Sequence, residues 1–173
     1  MDCQERAARV RLMGFDIDGV MTDGRLYFGP AGDFSKAFFS RDGLGLKLLA
    51  KSGVKLAIIT GRDSTIVTTR AANLGIGLVL QGIEDKRAAM ASLLARENLS
   101  FEQCGYMGDD LIDLPLLRRC GFSASVPDGH ELVLSHVSYV ARASAGAGAV
   151  REVCELILRA QGTWERVMAP YLA

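Results

Sequence analysis

The segment "LMGFDIDGVMTDG" (12–24) ends an apolar run in Asp16-Ile17-Asp18-Gly19, with a further acid at Asp23. A carboxylate at the end of a buried strand needs a cation or a proton, because desolvation penalises the bare charge. On these residues alone two readings compete: an Asp-Gly turn closing a hairpin, or a carboxylate pair placed for chemistry. Further along, "IITGR" supplies Thr60 and Arg62, "EDKR" supplies Lys86, and "GYMGDDLIDLP" supplies Asp109, Asp110 and Asp113. If Asp16, Asp18 and Asp109 meet, their mutual repulsion calls for a hard cation with oxygen ligands, which suits Mg²⁺. Thr60 adds a hydroxyl and Lys86 a fixed positive charge, both suited to a bound phosphoryl group. Carboxylates, metal, hydroxyl and ammonium together are the parts needed for phosphoryl transfer.

These residues can meet only if strands and helices bring them to one edge. Short apolar runs alternate with longer amphipathic ones, the rhythm of repeated β-α units. Strands are expected at 12–17, 54–60, 76–81, 103–108, 121–126 and 138–141. Helices are expected at about 43–52, 64–74, 84–97, 111–119 and 147–160. Most of the strands are near-continuous apolar runs, as in a parallel sheet covered on both faces. Val150, Val153, Cys154, Ile157 and Leu158 recur at helical spacing and form a core stripe. The expected fold is α/β, a doubly wound and mostly parallel sheet whose ligands bind at the carboxyl ends of the strands. Asp16, Asp18, Thr60, Arg62, Asp109 and Asp110 fall at such ends, with Lys86 at the opening of a helix and Asp113 one helical turn beyond. One segment breaks the rhythm. "RLYFGPAGDFSKAFFS" (25–40) has two strand-like runs around Gly29-Pro30-Ala31-Gly32, so a β-hairpin is inserted after the first strand. Asp23 is then the cap of the turn entering it.

The chain of 173 residues suits one domain. With 20 basic and 20 acidic residues, no global field favours nucleic acid or an anionic membrane. Cys3, Cys104, Cys120 and Cys154 show no C-x-x-C spacing, which argues against a zinc site or a disulfide scaffold and for a reduced, cytoplasmic setting. The first residues, "MDCQERAARV", lack the apolar stretch of a secretion signal. His130 and His136 lie far from every motif and are read as structural or surface residues.

In order and spacing, D-x-D-G, "IITGR", a downstream Lys and "GDDLIDLP" resemble the four motifs of the haloacid dehalogenase superfamily of phosphatases, over residues 12–115. The resemblance implies Asp16 as a nucleophile that becomes an aspartyl-phosphate, and Asp18 as the general acid and base. It also implies Thr60 and Lys86 as the holders of the transferring phosphoryl group. Asp16, the Asp18 main-chain carbonyl and Asp109 would bind Mg²⁺, with Asp113 orienting its neighbours. No large cap domain fits between the motifs, so the site must take macromolecules or borrow a cover from a neighbouring subunit.

"FFSRDGLGLKLL" (38–49), "TGR" and "SAGAGAVREVCELIL" are similar to a narrower group, the 3-deoxy-D-manno-octulosonate 8-phosphate phosphatases of lipopolysaccharide synthesis. That likeness implies a homotetramer whose neighbouring hairpins, and a C-terminal segment (162–173 here), reach over each site. It implies substrate contacts at Asp18, Phe39, Ser40, Arg41, Asp42, Gly43, Lys47, Arg62, Arg70 and Lys86. Lys47 stands where the group has Arg, which removes a bidentate contact. Arg62 favours an eight-carbon over a nine-carbon sugar acid phosphate. The tail "GTWERVMAPYLA" is apolar enough to dock, on its own domain or on a neighbour.

Rival readings are weaker. An EF-hand fails because its fifth, sixth and twelfth positions would be Val20, Met21 and Tyr27. A receiver domain also gathers acids, Thr and Lys around Mg²⁺, yet it places its phosphorylated Asp after a separate acidic pair. Here the D-x-D comes first.

Overall fold

A computed structural model describes residues 1–30 and 32–173, so Ala31 of the expected hairpin loop lies outside the described residues. In chain order the elements are α1 (Cys3–Ala8), β1 (Leu12–Phe15), β2 (Tyr27–Gly29), β3 (Gly32–Ser35), α2 (Ser40–Lys51), β4 (Lys55–Ile59), α3 (Thr65–Leu74), β5 (Leu78–Leu80) and α4 (Lys86–Glu97). There follow β6 (Cys104–Met107), α5 (Leu114–Leu117), β7 (Phe122–Ser125), α6 (Glu131–Leu134), β8 (Tyr139–Val140), α7 (Ala149–Ala160) and α8 (Trp164–Leu172). Six strands form one sheet in the order β5-β4-β1-β6-β7-β8, every neighbouring pair parallel. The hairpin β2-β3 is a separate antiparallel ribbon. This is the doubly wound fold, with the sheet order reversing beside β1.

Strand alternation divides the core into two layers. Met13, Phe15, Ile58, Met107 and Phe122 face one side, where α2, α3 and α7 contribute Leu46, Val67 and the stripe of Val150, Val153, Cys154, Ile157 and Leu158. Leu12, Ala57, Ile59, Cys104 and Tyr106 face the other, against Met90 and Leu94 of α4 and Leu117 of α5. Gly14 in the middle of β1 is required by this second layer. A Cβ there would collide with the Met90 methyl and the Tyr106 ring, which lie across the strand.

Several boundaries differ from expectation for identifiable reasons. The helix expected at 111–119 is only Leu114–Leu117, because the Asp113 carboxylate accepts the backbone N–H groups of Asp109 and Asp110 and holds 109–113 in a turn. The helix expected from 43 begins at Ser40, so the "RDG" residues occupy its first turn. The strand expected at 138–141 is the two-residue β8. Among the described residues, four short elements went unpredicted: α1, α6, the tail helix α8 and a 3₁₀ turn at Phe101–Gln103. α1 carries a signal that was available, the capping box in which Asp2 and Glu5 satisfy each other's backbone N–H. In α8, Val167 is buried and Trp164 and Met168 pack against the chain's own core, whereas Tyr171 and Leu172 stay exposed. No helix among the described residues is long and apolar enough to cross a membrane.

Candidate active site

Asp16 stands immediately after β1, Thr60 after β4, and Asp109 two residues after β6, all at the carboxyl edge of neighbouring strands. Lys86 is the first residue of α4, placed by the Asp85 side chain capping the helix at the N–H of Ala88. Its ammonium is buried between two carboxylates, 3.0 Å from Asp16 Oδ2 and 2.6 Å from Asp113 Oδ1. Asp16, Asp109 and Asp113 each bring a carboxylate oxygen within 4.8 Å of the others.

The third carboxylate of this cluster is therefore Asp113, where the sequence pattern put Asp18. Asp18 turns its oxygens to Lys36 and Arg62, at 2.5 and 3.7 Å. Asp113 is fully committed. It accepts from Lys86 and from two backbone amides, and the Tyr106 hydroxyl, 3.0 Å from Asp113 Oδ1 and 2.9 Å from the Ile59 carbonyl, shares its single proton between those two acceptors. Asp113 is thus the anchor that fixes Lys86 and the 109–110 turn, with little capacity left for a ligand of its own.

Asp16 Oδ1 and Asp109 Oδ1 are buried and have no hydrogen-bond partner among the described residues. Buried carboxylates gathered this closely with unpartnered oxygens need a proton or a cation among them. Gly19, at φ +87°, leaves the space the Asp109 carboxylate occupies, and a Cβ there would overlap it. The donor set is all oxygen, so the residues fit Mg²⁺. The electrostatics agree. Burial first, then the Asp113 charge, pushes Asp16 up to about 6 despite Lys86 beside it. Burial, followed by the charges of Asp113, Asp16 and Asp110, pushes Asp109 to about 7. Burial alone would lower Lys86, but the charges of Asp16 and Asp113 outweigh it and hold the ammonium above its ordinary range.

The remaining candidates lie at the start of and along α2, just after β4, and on α3. Phe39 precedes α2 and Ser40 opens it; the Arg41 guanidinium lies exposed, 5.9 Å from the Phe39 ring centre. Asp42 is buried and accepts the Arg151 N–H at 2.8 Å, serving as the cap that Gly148, without a side chain, cannot provide to α7. Gly43 faces the Arg70 guanidinium, which also covers the Phe38 ring at 5.4 Å. Lys47 is exposed on α2 and makes no ion pair among the described residues. Arg62 bridges Asp18 to the hairpin through Asp33, at 3.0 Å. Sequence reasoning missed Lys36, Asp33 and Tyr106. The first two sit three apart in the hairpin, and only its folding back over β1 shows that they meet Asp18.

Removing the anchor has a predictable cost. Asp113→Ala leaves the buried Lys86 ammonium with Asp16 as its one carboxylate, the Tyr106 hydroxyl with the Ile59 carbonyl, and two backbone amides without their acceptor, so a loss of about 3–5 kcal/mol is expected. Urea unfolding of the purified variant measures it; a loss below about 1 kcal/mol contradicts the anchor role.

This sheet order and these acids define a class, and the family model of the haloacid dehalogenase-like hydrolases matches residues 76–153. The 3-deoxy-D-manno-octulosonate 8-phosphate phosphatase KdsC of Yersinia pestis is 48% identical over 95% of this chain and 88% of its own. The crystal structure of the corresponding phosphatase from Moraxella catarrhalis, in complex with magnesium, phosphate and a KDO molecule, superposes with a TM-score of 0.95. It is 42% identical, covering 98% of this chain and 97% of that one. The cobalt-bound form of the Haemophilus influenzae phosphatase gives a TM-score of 0.89 at 38% identity, over 92% and 93% of the two chains. The chain belongs to the family of 3-deoxy-D-manno-octulosonate 8-phosphate phosphatases within that class.

Proposed function

We propose that this chain is a Mg²⁺-dependent phosphomonoesterase that hydrolyses KDO 8-phosphate to KDO and inorganic phosphate in lipopolysaccharide synthesis. The observation that carries the reaction class is the buried triad of Asp16, Lys86 and Asp113, with Asp16 Oδ1 left free. Lys86 holds one oxygen of Asp16, so the other is presented as a nucleophile of fixed direction. Asp16 Oδ1 attacks phosphorus and the ester oxygen departs, taking a proton from Asp18. Water then attacks the aspartyl-phosphate, giving its proton back to Asp18 and releasing phosphate and free Asp16. Thr60 and Lys86 hold the phosphoryl oxygens through both steps. Asp16, Asp109 and the Asp18 carbonyl would hold Mg²⁺, which when bound neutralises the acids and the phosphoryl charge.

The sugar identity rests on the relatives named above. In this reading Phe39, Ser40, Arg41, Gly43, Lys47, Arg62 and Arg70 contact the sugar acid, and Asp42 shapes the first turn of α2 by holding α7. We also propose a single catalytic domain spanning 1–173, a homotetramer and a cytoplasmic setting. Exposed Leu26, Tyr27, Phe28 and Phe34 on the hairpin, with Tyr171 and Leu172 on the tail, support the cover supplied by neighbouring subunits. Four free thiols support the reduced compartment.

A phosphate-release screen of sugar and sugar acid phosphates with Mg²⁺ tests the assignment. KDO 8-phosphate is expected to exceed hexose phosphates and nucleotides in kcat/KM. Better turnover of a nine-carbon acid 9-phosphate would reject the substrate and leave the reaction class standing.

A further inference from the structure

Asp18, the acid assigned to the leaving group, does not stand alone. The hairpin brings Lys36 against it, with Nζ 2.5 Å from Asp18 Oδ1 and 3.4 Å from Asp33 Oδ2. Arg62 closes the ring, donating to Asp33 Oδ1 at 3.0 Å and lying 5.1 Å from the Phe28 ring centre. The side chains of Lys36 and Asp33 are 2% and 9% exposed, far less than surface ion pairs usually are. Yet the ring is not saturated: Asp33 Oδ2 and Arg62 Nε have no hydrogen-bond partner among the described residues. A buried acceptor, Asp33 Oδ2, left open beside a reaction centre points to a ligand that donates to it.

The side of the site on which they lie identifies that ligand. The phosphoryl group is held by Asp16, Thr60 and Lys86, so the ester oxygen and the carbon behind it lie toward Asp18. Lys36 and Asp33 are the next groups the departing alcohol meets. An ammonium beside a carboxylate offers one donor and one acceptor, the complement of a hydroxyl, which both accepts and donates. A carboxylate in the same place would meet Asp33 with repulsion, and a methylene would offer no donor to the open Asp33 Oδ2 and no acceptor to Lys36. With Asp18 at the ester oxygen, Lys36, 2.5 Å from Asp18 Oδ1, is placed within reach of a hydroxyl on the carbon adjacent to the ester carbon. Burial would raise Asp33, but the Arg62 hydrogen bond and the Lys36 and Arg62 charges hold its carboxyl below the ordinary value, so it is an acceptor at neutral pH.

We propose that Lys36 and Asp33 are specificity-determining contacts that select phosphomonoesters whose leaving alcohol carries a hydroxyl on the carbon next to the ester carbon. The inference rests on the phosphatase assignment but not on which sugar acid is the substrate. It assigns the hairpin a role toward its own site, in addition to any cover it lends a neighbour.

The test compares two substrate pairs, with the full chain and Mg²⁺. One is KDO 8-phosphate with its 7-deoxy analogue; the other is glycerol 3-phosphate with 1,3-propanediol monophosphate, which lacks the neighbouring hydroxyl. The unmodified enzyme is expected to favour the hydroxylated member of each pair by about 10–100-fold in kcat/KM. Asp33→Asn and Lys36→Met are expected to bring both ratios close to unity, while Lys36→Arg, which keeps a donor, retains part of the preference. Each ratio is taken on one preparation, so a partly unfolded fraction cancels. Equal losses on both members, with the ratio kept, would reduce the pair to a latch for the hairpin and overturn the proposal. A preference confined to the glycerol pair, with no octulosonate turnover, removes the sugar assignment and supports the contacts. Turnover without preference in either pair overturns the contacts and leaves the reaction class intact.

Discussion

Asp16→Asn is expected to lower turnover by about 10⁴-fold or more while the protein stays folded. The reasoning is local. Among the described residues, Asp16 is the carboxylate with one oxygen, Oδ2, held by Lys86 and the other, Oδ1, without a partner. An amide in its place keeps shape and volume but is a poor nucleophile, so the covalent route closes. The fold has reason to tolerate the change or gain from it. Asp16 lies buried within reach of Asp109 and Asp113, and removing its charge relieves a repulsion that pushes both Asp16 and Asp109 upward. Steady-state phosphate release, paired with thermal unfolding of the chelated variant, measures both effects. Activity within tenfold of the unmodified enzyme would remove Asp16 from the nucleophile role, and a collapse in stability would show that Lys86 needs its charge to stay buried.

How much of this was readable beforehand varies by the kind of interaction. The sheet and the edge where chemistry gathers were legible because each depends on local pattern. Near-continuous apolar runs mark buried parallel strands, and the polar residues that punctuate them fall at strand ends. The α7 stripe was legible for the same reason, and all five of its residues are buried. What local pattern does not carry is which distant polar group answers which. Asp113 lies only four residues from Asp109, yet its hold on Lys86 and Tyr106 depends on α4 and α5 meeting behind β6. Lys36 reads as an ordinary hairpin charge until the ribbon folds over β1. Cys104 and Cys120 give no motif at a separation of 16 residues, but α5 returns the chain so that their sulfurs lie 3.2 Å apart in the core. Pairings of this sort belong to the tertiary fold, and the chemistry of the leaving-group side lay among them.

The second large effect concerns the metal. Chelation is expected to abolish turnover and to make the protein's stability fall as pH rises from about 4 to about 7. Asp16 and Asp109 ordinarily lose their protons near 3.8, but in the fold they do so near 6 and 7. Below pH 4 both folded and unfolded chains hold these protons, and nothing is lost. Between about 4 and 7 the unfolded chain releases them first, so unfolding becomes progressively easier; above about 7 the penalty is complete. The rise of Asp16 from 3.8 to about 6 alone corresponds to about 3 kcal/mol. Bound Mg²⁺ stabilises the ionised ligands and removes that penalty, so the stability it confers should grow with pH through the same window. Thermal unfolding of chelated and Mg²⁺-loaded protein at pH 5 and pH 8 reads the difference directly. The loaded form should gain several degrees more at pH 8 than at pH 5. An equal gain at both pH values would mean that the ion does not sit among Asp16 and Asp109, and undiminished turnover in excess chelator would mean that the reaction does not need it.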